Sequence, residues 1–419
     1  MLSKFKNKLI QLARGGFFHV FVGNTMIKMI AFVSSIVIVR LVDKTSYAYL
    51  AYADNLYNYV VSFAGLGMAS AILKFCAAAK SPEEDRAYFS FALKYGTLFE
   101  FVLSIFIIVY VSFISTPFPD AKTIVYLLVL YPTFNNVINT VLNYLRAHGE
   151  NQVYSKTAVI QTLFVFIGSV IFVILIGIHG VAVARYIAIT IAILFAVKTL
   201  AKYLKGVPRY KLDEVQLKAF MVMSVSLMIS NLFSLIMPIN EMSLINELIR
   251  DEVITANYKI ATLIPAQLAF ITQSIVVYYF TVIAKMEDKR EVWRLSKKVG
   301  FMSAAIIAVV TLAGVLLSPW IIRLVYGSQY NDAIELSVVF WIVYAVNAAV
   351  RIVPMNFIPA IGIAKFNAIM AAVSCVAHFV ITYFCITYFG IWGAGISTAI
   401  VYLISGVVYW LYYRKACLK

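Results

Sequence analysis

Two cations sit in stretches of chain that offer them no water. Arg351 lies within "YAVNAAVRIVPMNF", Tyr344 to Phe357, inside a run that is otherwise apolar from about Ala333 to Ala364. Lys28 lies about twelve residues into another apolar run. Each has an amide four residues before it, Asn347 and Asn24, so one pattern of amide, three residues and cation occurs twice. Four residues is about one helical turn, which puts each pair on one helix face. Arg351 is about ten residues from the nearer helix end, about 15 Å deep at 1.5 Å per residue, too deep to snorkel unaided. Each such cation costs about 2.5–3.5 kcal/mol at the centre of a membrane helix, roughly 5–7 kcal/mol for the two. That cost predicts a wet cavity in which Lys28 and Arg351 meet an anionic substrate.

Acids stand in similar stretches. Asp54, Glu100 and Glu241 fall inside apolar runs, and Lys259 faces Glu241 across a short loop. The plain expectation is internal ion pairing, Lys28 with Asp54 and Glu241 with Lys259. The functional alternative is that Asp54, Glu241 or Glu100 carries a coupling ion, H⁺ or Na⁺. Arg351 has no obvious acid at its depth apart from Glu100. Asn135, Asn139 and Asn143 recur at steps of four, with Asn136 beside them. Four amides exceed what helix packing usually requires, so they are candidates for meeting hydroxyl groups of a substrate. Ser226, Ser230, Ser234 and Pro238 form a second stripe that ordinary helix–helix hydrogen bonding explains. Tyr57, Tyr258 and Tyr344 lie beside Asp54, Lys259 and Asn347, where a ring can stack on a sugar or simply pack.

The elements that hold these residues follow from composition. The chain of 419 residues is 63% hydrophobic and 13% charged, with a mean hydropathy of +0.89. That much apolar surface requires lipid as solvent. Windows of about 20 residues give about twelve helical spans. They fall near 16–39, 46–73, 88–114, 123–145, 155–177, 180–200, 219–245, 253–283, 297–319, 333–361, 367–388 and 391–413. Of the 35 Lys and Arg, about 25 fall on the side of the termini and about six on the other. The positive-inside rule therefore predicts N-in and C-in, and the net charge of +16 reflects topology and anionic lipid rather than nucleic acid. Residues 1–15 alternate Leu2, Phe5, Leu9 and Leu12 with lysines, as a helix lying on the inner surface would. Pro132, Pro238 and Pro354 fall inside spans as candidate kinks.

An internal repeat is visible. Ala147 and Gly149 match Ala360 and Gly362 at an offset of 213, and Gly177, Ile178 and Gly180 match Gly390, Ile391 and Gly393 at the same offset. Both matches fall at helix junctions, which implies a duplication of six spans. The expected plan is an N-terminal lobe over 16–200, a basic cytoplasmic linker over 201–218, a C-terminal lobe over 219–413 and a cytoplasmic tail over 414–419. Two such lobes suit alternating access to a site held between them.

No phosphate-binding GxxxxGK[ST] motif and no HExxH motif occurs, and Cys76, Cys375, Cys385 and Cys417 lack metal or disulfide spacing. No catalytic residue, metal ligand or cofactor beyond a coupling ion is expected. No loop exceeds about twenty residues, which disfavours a transferase with a large outer domain.

The chain resembles the polysaccharide-type flippases of the multidrug/oligosaccharidyl-lipid/polysaccharide (MOP) exporter superfamily. The resemblance rests on the two six-helix halves, the segment "NYLRAHGENQVYS", the turn "LVYGSQYNDAI" from Leu324 to Ile334, and Glu241 following the "N…P" region of its span. It departs from the family in "SIVVYYFTVIAK", which lacks the proline often found there. The resemblance implies an all-α, MATE-like membrane fold. It also implies flipping of a polyprenyl-pyrophosphate-linked oligosaccharide, an O-antigen or other surface-polysaccharide repeat unit, across a bacterial inner membrane. Relatives that move lipid-linked sugars tend to have cationic cavities and drug exporters acidic ones, so Lys28 and Arg351 tilt the reading to the former. Partners would be the lipid-linked oligosaccharide, membrane lipids and other polysaccharide-assembly proteins. A cation-coupled exporter of small amphiphiles and a membrane-embedded sugar transferase stay open as alternatives.

Overall fold

The computed structural model describes residues 17–418 apart from 115, 284, 285 and 362, and leaves aside the side chains of 17–22, 230, 231, 234, 277, 278, 281 and 364. The surface segment expected over 1–15, Gly362 of the repeat, and the side chains of Ser230 and Ser234 lie outside what is described.

The described chain is helical, with no strand among the described residues. In order the helices are α1 (Phe17–Leu41), α2 (Lys44–Ser62), α3 (Met68–Phe75), α4 (Pro82–Phe91), α5 (Thr97–Phe113), α6 (Lys122–Leu127), α7 (Tyr131–Ala147), α8 (Asn151–Ile176) and α9 (Gly180–Leu204). They continue as α10 (Glu214–Ile249), α11 (Glu252–Leu263), α12 (Leu268–Ile283), α13 (Lys289–Ile321), α14 (Ala333–Val346), α15 (Ile352–Ala360), α16 (Ala364–Phe389) and α17 (Trp392–Leu418). Two of the starts are capped by aspartates. Asp43 accepts from the Ser46 N–H at 2.8 Å, and Asp251 accepts from the Ile254 N–H at 2.8 Å.

Among the described residues, nine helical stretches are long and apolar enough to cross a membrane. The expected spans 46–73 and 219–245 are not among them, and 155–177 and 180–200 fall in one 54-residue stretch. The helices wear apolar side chains outward. Val309, Leu312, Leu316 and Trp320 of α13 are each more than 60% exposed, an outer stripe that only lipid would solvate.

Several spans are not continuous. The span expected at 46–73 breaks at 63–67, between α2 and α3. Gly65 and Gly67 take φ of 57° and 77° there, and Ala64 and Leu66 share the left-handed region at 46° and 59°. Pro132 opens α7 instead of kinking it, where its missing N–H costs nothing. Pro238 does lie inside a helix, the 36-residue α10. Pro354 follows a π-helical turn over Asn347–Arg351 that links α14 to α15. A second π turn, Ala92–Gly96, links α4 to α5.

The chain divides into two compact units, one ending at Leu232 and one beginning at Phe233. The division falls inside α10. Within the first unit, Met68, Ile72, Tyr88, Tyr144 and Phe220 form a buried cluster. Tyr88 and Phe220 pack at 5.4 Å between ring centroids, so the start of α10 belongs to this core. Within the second unit, Val299, Ile307, Ala348, Phe357, Tyr409 and Tyr413 are buried together.

The repeat seen in the sequence has a local counterpart in each unit. Gly177 ends α8 with φ 65° and ψ −155°, and Gly390 ends α16 with φ 57° and ψ −141°. A Cβ on Gly180 would overlap the main-chain carbonyl of Phe172, and one on Gly393 would overlap that of Cys385. Phe172 and Cys385 are themselves related by the offset of 213, so the same tight reversal is built twice.

Candidate functional site

In the second unit, one face of α17 organises the site. Thr398, Tyr402 and Gly406 follow at steps of four and so point the same way. At the first step the Thr398 hydroxyl donates to Glu241 Oε2 at 2.9 Å, and His378 Nε2 lies 2.9 Å from the same hydroxyl and 3.6 Å from the carboxylate. Glu241 is 3% and His378 1% exposed, so the ensemble is closed off. Thr382 donates to Ser397 at 2.9 Å one turn away. Glu241 was expected to pair with Lys259. Its partners among the described residues are instead Thr398 and His378, which α17 and α16 supply.

At the second step the Arg351 guanidinium lies over the Tyr402 ring, 5.4 Å from its centroid, within cation–π range. At the third, Gly406 leaves room for the π turn. A Cβ there would sit 3.3 Å from the Arg351 main-chain nitrogen and 2.8 Å from a Val350 methyl. The extra residue in that turn presents Arg351 toward α17. Among the described residues Arg351 has no carboxylate within ion-pair range, and its buried Nε has no hydrogen-bond partner. Asn347 Oδ1, one turn earlier, is likewise buried without a partner. Tyr258 is 4% exposed and packs edge-on against Phe340 at 5.5 Å, and Tyr344 lies 6.0 Å from the same ring. Those two rings are core.

In the first unit, Asp54 was expected to pair with Lys28. Its partner is Arg185 of α9, which makes two contacts, Nη1 to Oδ1 at 2.5 Å and Nη2 to Oδ2 at 2.9 Å. The fork matches the carboxylate and beats a single ammonium at this site. The guanidinium also lies 4.9 Å over the Tyr131 ring. The pair borders a cavity of about 250 Å³ walled by Ser34, Ser35, Tyr47, Thr162 and Ser169, among others. Asn24 and Lys28 lie on an exposed face of α1. Tyr57 donates to the Val125 carbonyl at 2.7 Å in the core.

A second cavity in this unit, about 200 Å³, gathers Asn135, Asn136, Asn139 and Asn143 with Glu100. Glu100 thus meets the amides of α7 within the first unit. Asn143 donates to the Ala69 carbonyl at 2.8 Å, which ties α7 to α3.

Sequence reasoning missed Arg185, His378, Thr398 and Tyr402. The repeat held a signal for some of them, since Arg185 and Thr398, and also Lys28 and Glu241, stand 213 residues apart.

The family model described as "Polysaccharide biosynthesis protein" matches residues 12–284. No curated protein sequence matches the chain. Among solved structures, it is similar to an inward-facing multidrug resistance MATE family transporter of the MOP superfamily. That likeness has a TM-score of 0.70 at 14% identity, over 95% of this chain and 98% of the other. It is also similar to a MOP superfamily transporter from Pyrococcus furiosus, whose description refers to reversed polarity of the binding pocket. Here the TM-score is 0.65 at 14% identity, over 96% and 94%. The chain therefore belongs to the polysaccharide biosynthesis protein family, and its fold is that of the MOP superfamily transporters of known structure.

Proposed function

We propose that the protein flips a polyprenyl-pyrophosphate-linked oligosaccharide, an O-antigen or other surface-polysaccharide repeat unit, from the cytoplasmic to the outer leaflet of a bacterial inner membrane. The reading is carried by one observation. Arg351 is held against the face of Tyr402 with no carboxylate partner among the described residues, so its N–H edge is left to bind an anion. A planar guanidinium braced in that way is suited to a phosphate. Membership of a polysaccharide biosynthesis family supports the glycan part of the reading.

In this scheme Arg351 and Lys28 attract the pyrophosphate, with Asn24 and Asn347 beside them. Asn135, Asn139 and Asn143 meet sugar hydroxyls, whose bare transfer through hydrocarbon would be costly. The polyprenyl tail stays in lipid while the two lobes alternate access, with both termini in the cytoplasm. Outward movement of negative charge gains about 2.3 kcal/mol per charge per 100 mV, so two uncompensated charges gain roughly 4–5 kcal/mol at that voltage. Coupling to H⁺ or Na⁺ would add to this drive and is not required by it.

The test is flipping of a fluorescent lipid-linked oligosaccharide in proteoliposomes. Arg351→Ala is expected to cut the rate at least tenfold while the protein still inserts and folds, and Arg351→Lys to recover part of it. Full activity in both Lys28→Ala and Arg351→Ala would overturn the assignment. The second reading, cation-coupled export of small amphiphiles, draws on the buried carboxylate of Glu241. It predicts drug efflux that Glu241→Gln abolishes and Arg351→Ala spares.

A further inference from the structure

The π turn of the second unit has a traceable origin in the repeat. Asp120, Ala121 and Asn135 match Asp332, Ala333 and Asn347 at an offset of 212. Asn143 and Ala147 match Asn356 and Ala360 at 213. The second half therefore carries one extra residue between Asn347 and Asn356, and the π turn Asn347–Arg351 falls there. A residue added to an α-helix is accommodated as one wide turn, and such turns are kept mostly at functional sites. The first unit runs through the equivalent stretch as unbroken α-helix, in α7. Composition does not mark the turn, and the step in offset acquires its meaning once the turn is seen.

What the turn replaces is apolar. At the offset of 213, Arg351, Tyr402 and Gly406 answer to Ile138, Ile189 and Ile193. Those three isoleucines share one hydrophobic cluster of the first unit, in which Ile138 is fully buried. In the second unit the place of Ile189 is taken by the ring beneath the Arg351 guanidinium, its centroid 5.4 Å away. The place of Ile193 is taken by a glycine. Main-chain atoms of the turn fill the notch, since a Cβ on Gly406 would lie 3.3 Å from both the Val350 carbonyl carbon and the Arg351 main-chain nitrogen. An isoleucine there would expel the turn. The turn also begins and ends on unmet polar atoms, Asn347 Oδ1 and Arg351 Nε, both buried without a partner among the described residues.

Buried polar atoms left unmet are costly until something polar arrives to meet them. A guanidinium braced on one face by a ring presents its N–H edge, which can take two oxygens of a phosphate at once. We propose that the added residue made this site: the π turn, seated in the notch that Gly406 leaves, moves Arg351 from a core position onto Tyr402 and holds it for a lipid diphosphate. Gly406 and Tyr402 are then positioning residues. The proposal rests on the reading of Arg351 as the residue that meets the pyrophosphate, and adds what puts it there. Gly406 sets how far the turn reaches toward α17, and the Tyr402 ring sets the plane of the guanidinium. Neither needs to touch the substrate.

The experiment is calorimetric binding of undecaprenyl pyrophosphate to the purified full-length protein in detergent, with the Tm of each variant measured beside it. Arg351→Ala is expected to weaken binding about tenfold or more, as loss of a charge-assisted contact does. Deletion of Ala349 keeps Arg351 and removes the extra residue. It should weaken binding to the same degree while Tm stays at or above the wild-type value. Gly406→Ala should weaken binding and lower Tm, and adding the deletion to it should raise Tm again, because the methyl group then occupies space that the turn has left. Tyr402→Leu should weaken binding more than Tyr402→Phe, which keeps the ring. In the Arg351→Ala background, Gly406→Ala should cost no further affinity, and a full additional loss there overturns the positioning role. Undiminished affinity in the deletion variant, with Arg351→Ala weakened, overturns the proposal and spares the reading of Arg351. Undiminished affinity in Arg351→Ala overturns both. If the deletion variant does not fold, Gly406→Ala decides, and wild-type affinity in it overturns the proposal.

Discussion

Arg185 in the first unit and Thr398 in the second occupy equivalent places in the repeat, five residues past Gly180 and Gly393. Around both, the helix reversal is the same, with a left-handed glycine followed by a glycine pressed against a main-chain carbonyl. The chemistry is opposite. Arg185 is a cation gripping Asp54, which α2 supplies, whereas Thr398 is a hydroxyl serving Glu241, which α10 supplies. Lys28 and Glu241 also stand 213 residues apart, so a cation in one half answers an acid in the other. Val165 and Ser169 answer to His378 and Thr382 in the same way. Backbone contacts with no free volume admit only glycine, so the turns persist. Side chains on cavity walls have no such constraint and can reverse charge. The first unit neutralises Asp54 with its own Arg185, and the second leaves Arg351 without a carboxylate partner among the described residues.

The largest expected effect separates those two conditions. Arg185 is 16% and Asp54 27% accessible at the side chain, so Arg185→Ala strands a mostly buried carboxylate. Breaking such a pair costs about 3–5 kcal/mol. Thermal unfolding in detergent should show a large fall in Tm for Arg185→Ala and a partial return in the double variant Arg185→Ala with Asp54→Asn. Arg351→Ala breaks no ion pair and should shift Tm much less while losing transport. Equal destabilisation by the two arginine variants would dissolve the contrast between the units.

Next in size are the glycines that the halves share. Alanine at Gly180 or Gly393 places a methyl group into a carbonyl that cannot withdraw, and overpacking costs about 1–3 kcal/mol. Both variants should lose folded protein to a similar degree by size-exclusion yield and Tm. A tolerated Gly393→Ala beside an intolerant Gly180→Ala would mean that the two reversals are not equivalent.

What the sequence could and could not disclose follows the same line. Apolar runs are local signals, and they marked a helical membrane fold; the glycine pairs at one offset fall on the reversals at Gly177 and Gly390. The amide stripe of α7 was legible as a face because its period is helical, and Glu100 joined it only through the break at 63–67. Pairing was not legible. Lys28 seemed the natural partner of Asp54 by depth, but depth along two helices does not say which faces meet, and α9 supplied the partner. His378 carried no motif at all, since its role comes from a hydroxyl twenty residues later that α17 turns toward it. The π turn at Asn347–Arg351 was equally silent, because one inserted residue alters no composition.

Below the glycines in expected size comes Thr398→Val. It is nearly isosteric and removes the hydroxyl that joins Glu241 to His378. Leaving buried polar groups unmet costs about 1–3 kcal/mol. The counterpart Ser169→Ala, on the wall of the first unit's larger cavity, should cost clearly less, because the ion pair beside it stays intact. Unfolding curves of the two single variants measure the difference directly, and a larger loss for Ser169→Ala would place the polar keystone in the wrong unit.

The smallest expected effect lies outside the spans, at the loop between α7 and α8. Glu150 Oε1 accepts from the Tyr203 hydroxyl at 2.7 Å and from Lys202 Nζ at 3.0 Å. These bonds, the one from Tyr203 foremost, hold its carboxyl below the ordinary glutamate value of 4.5. A carboxyl whose folded pKa is depressed binds more protons when unfolded, so its contribution to stability is full above 4.5 and fades as pH falls through the folded value. The Tm difference between wild type and Tyr203→Phe should therefore be small and constant above about pH 5.5 and narrow on acidification below pH 4.5. The second unit keeps a lysine, Lys415, at the position equivalent to Lys202, but has Ala416 at that of Tyr203 and Ile363 at that of Glu150, so its corresponding loop carries no such pair. Substituting Lys415 should leave the pH profile unchanged. A profile that moves with Lys415 and ignores Tyr203 would mean that the acid sensitivity of the loops is not arranged as the first unit's hydrogen bonds require.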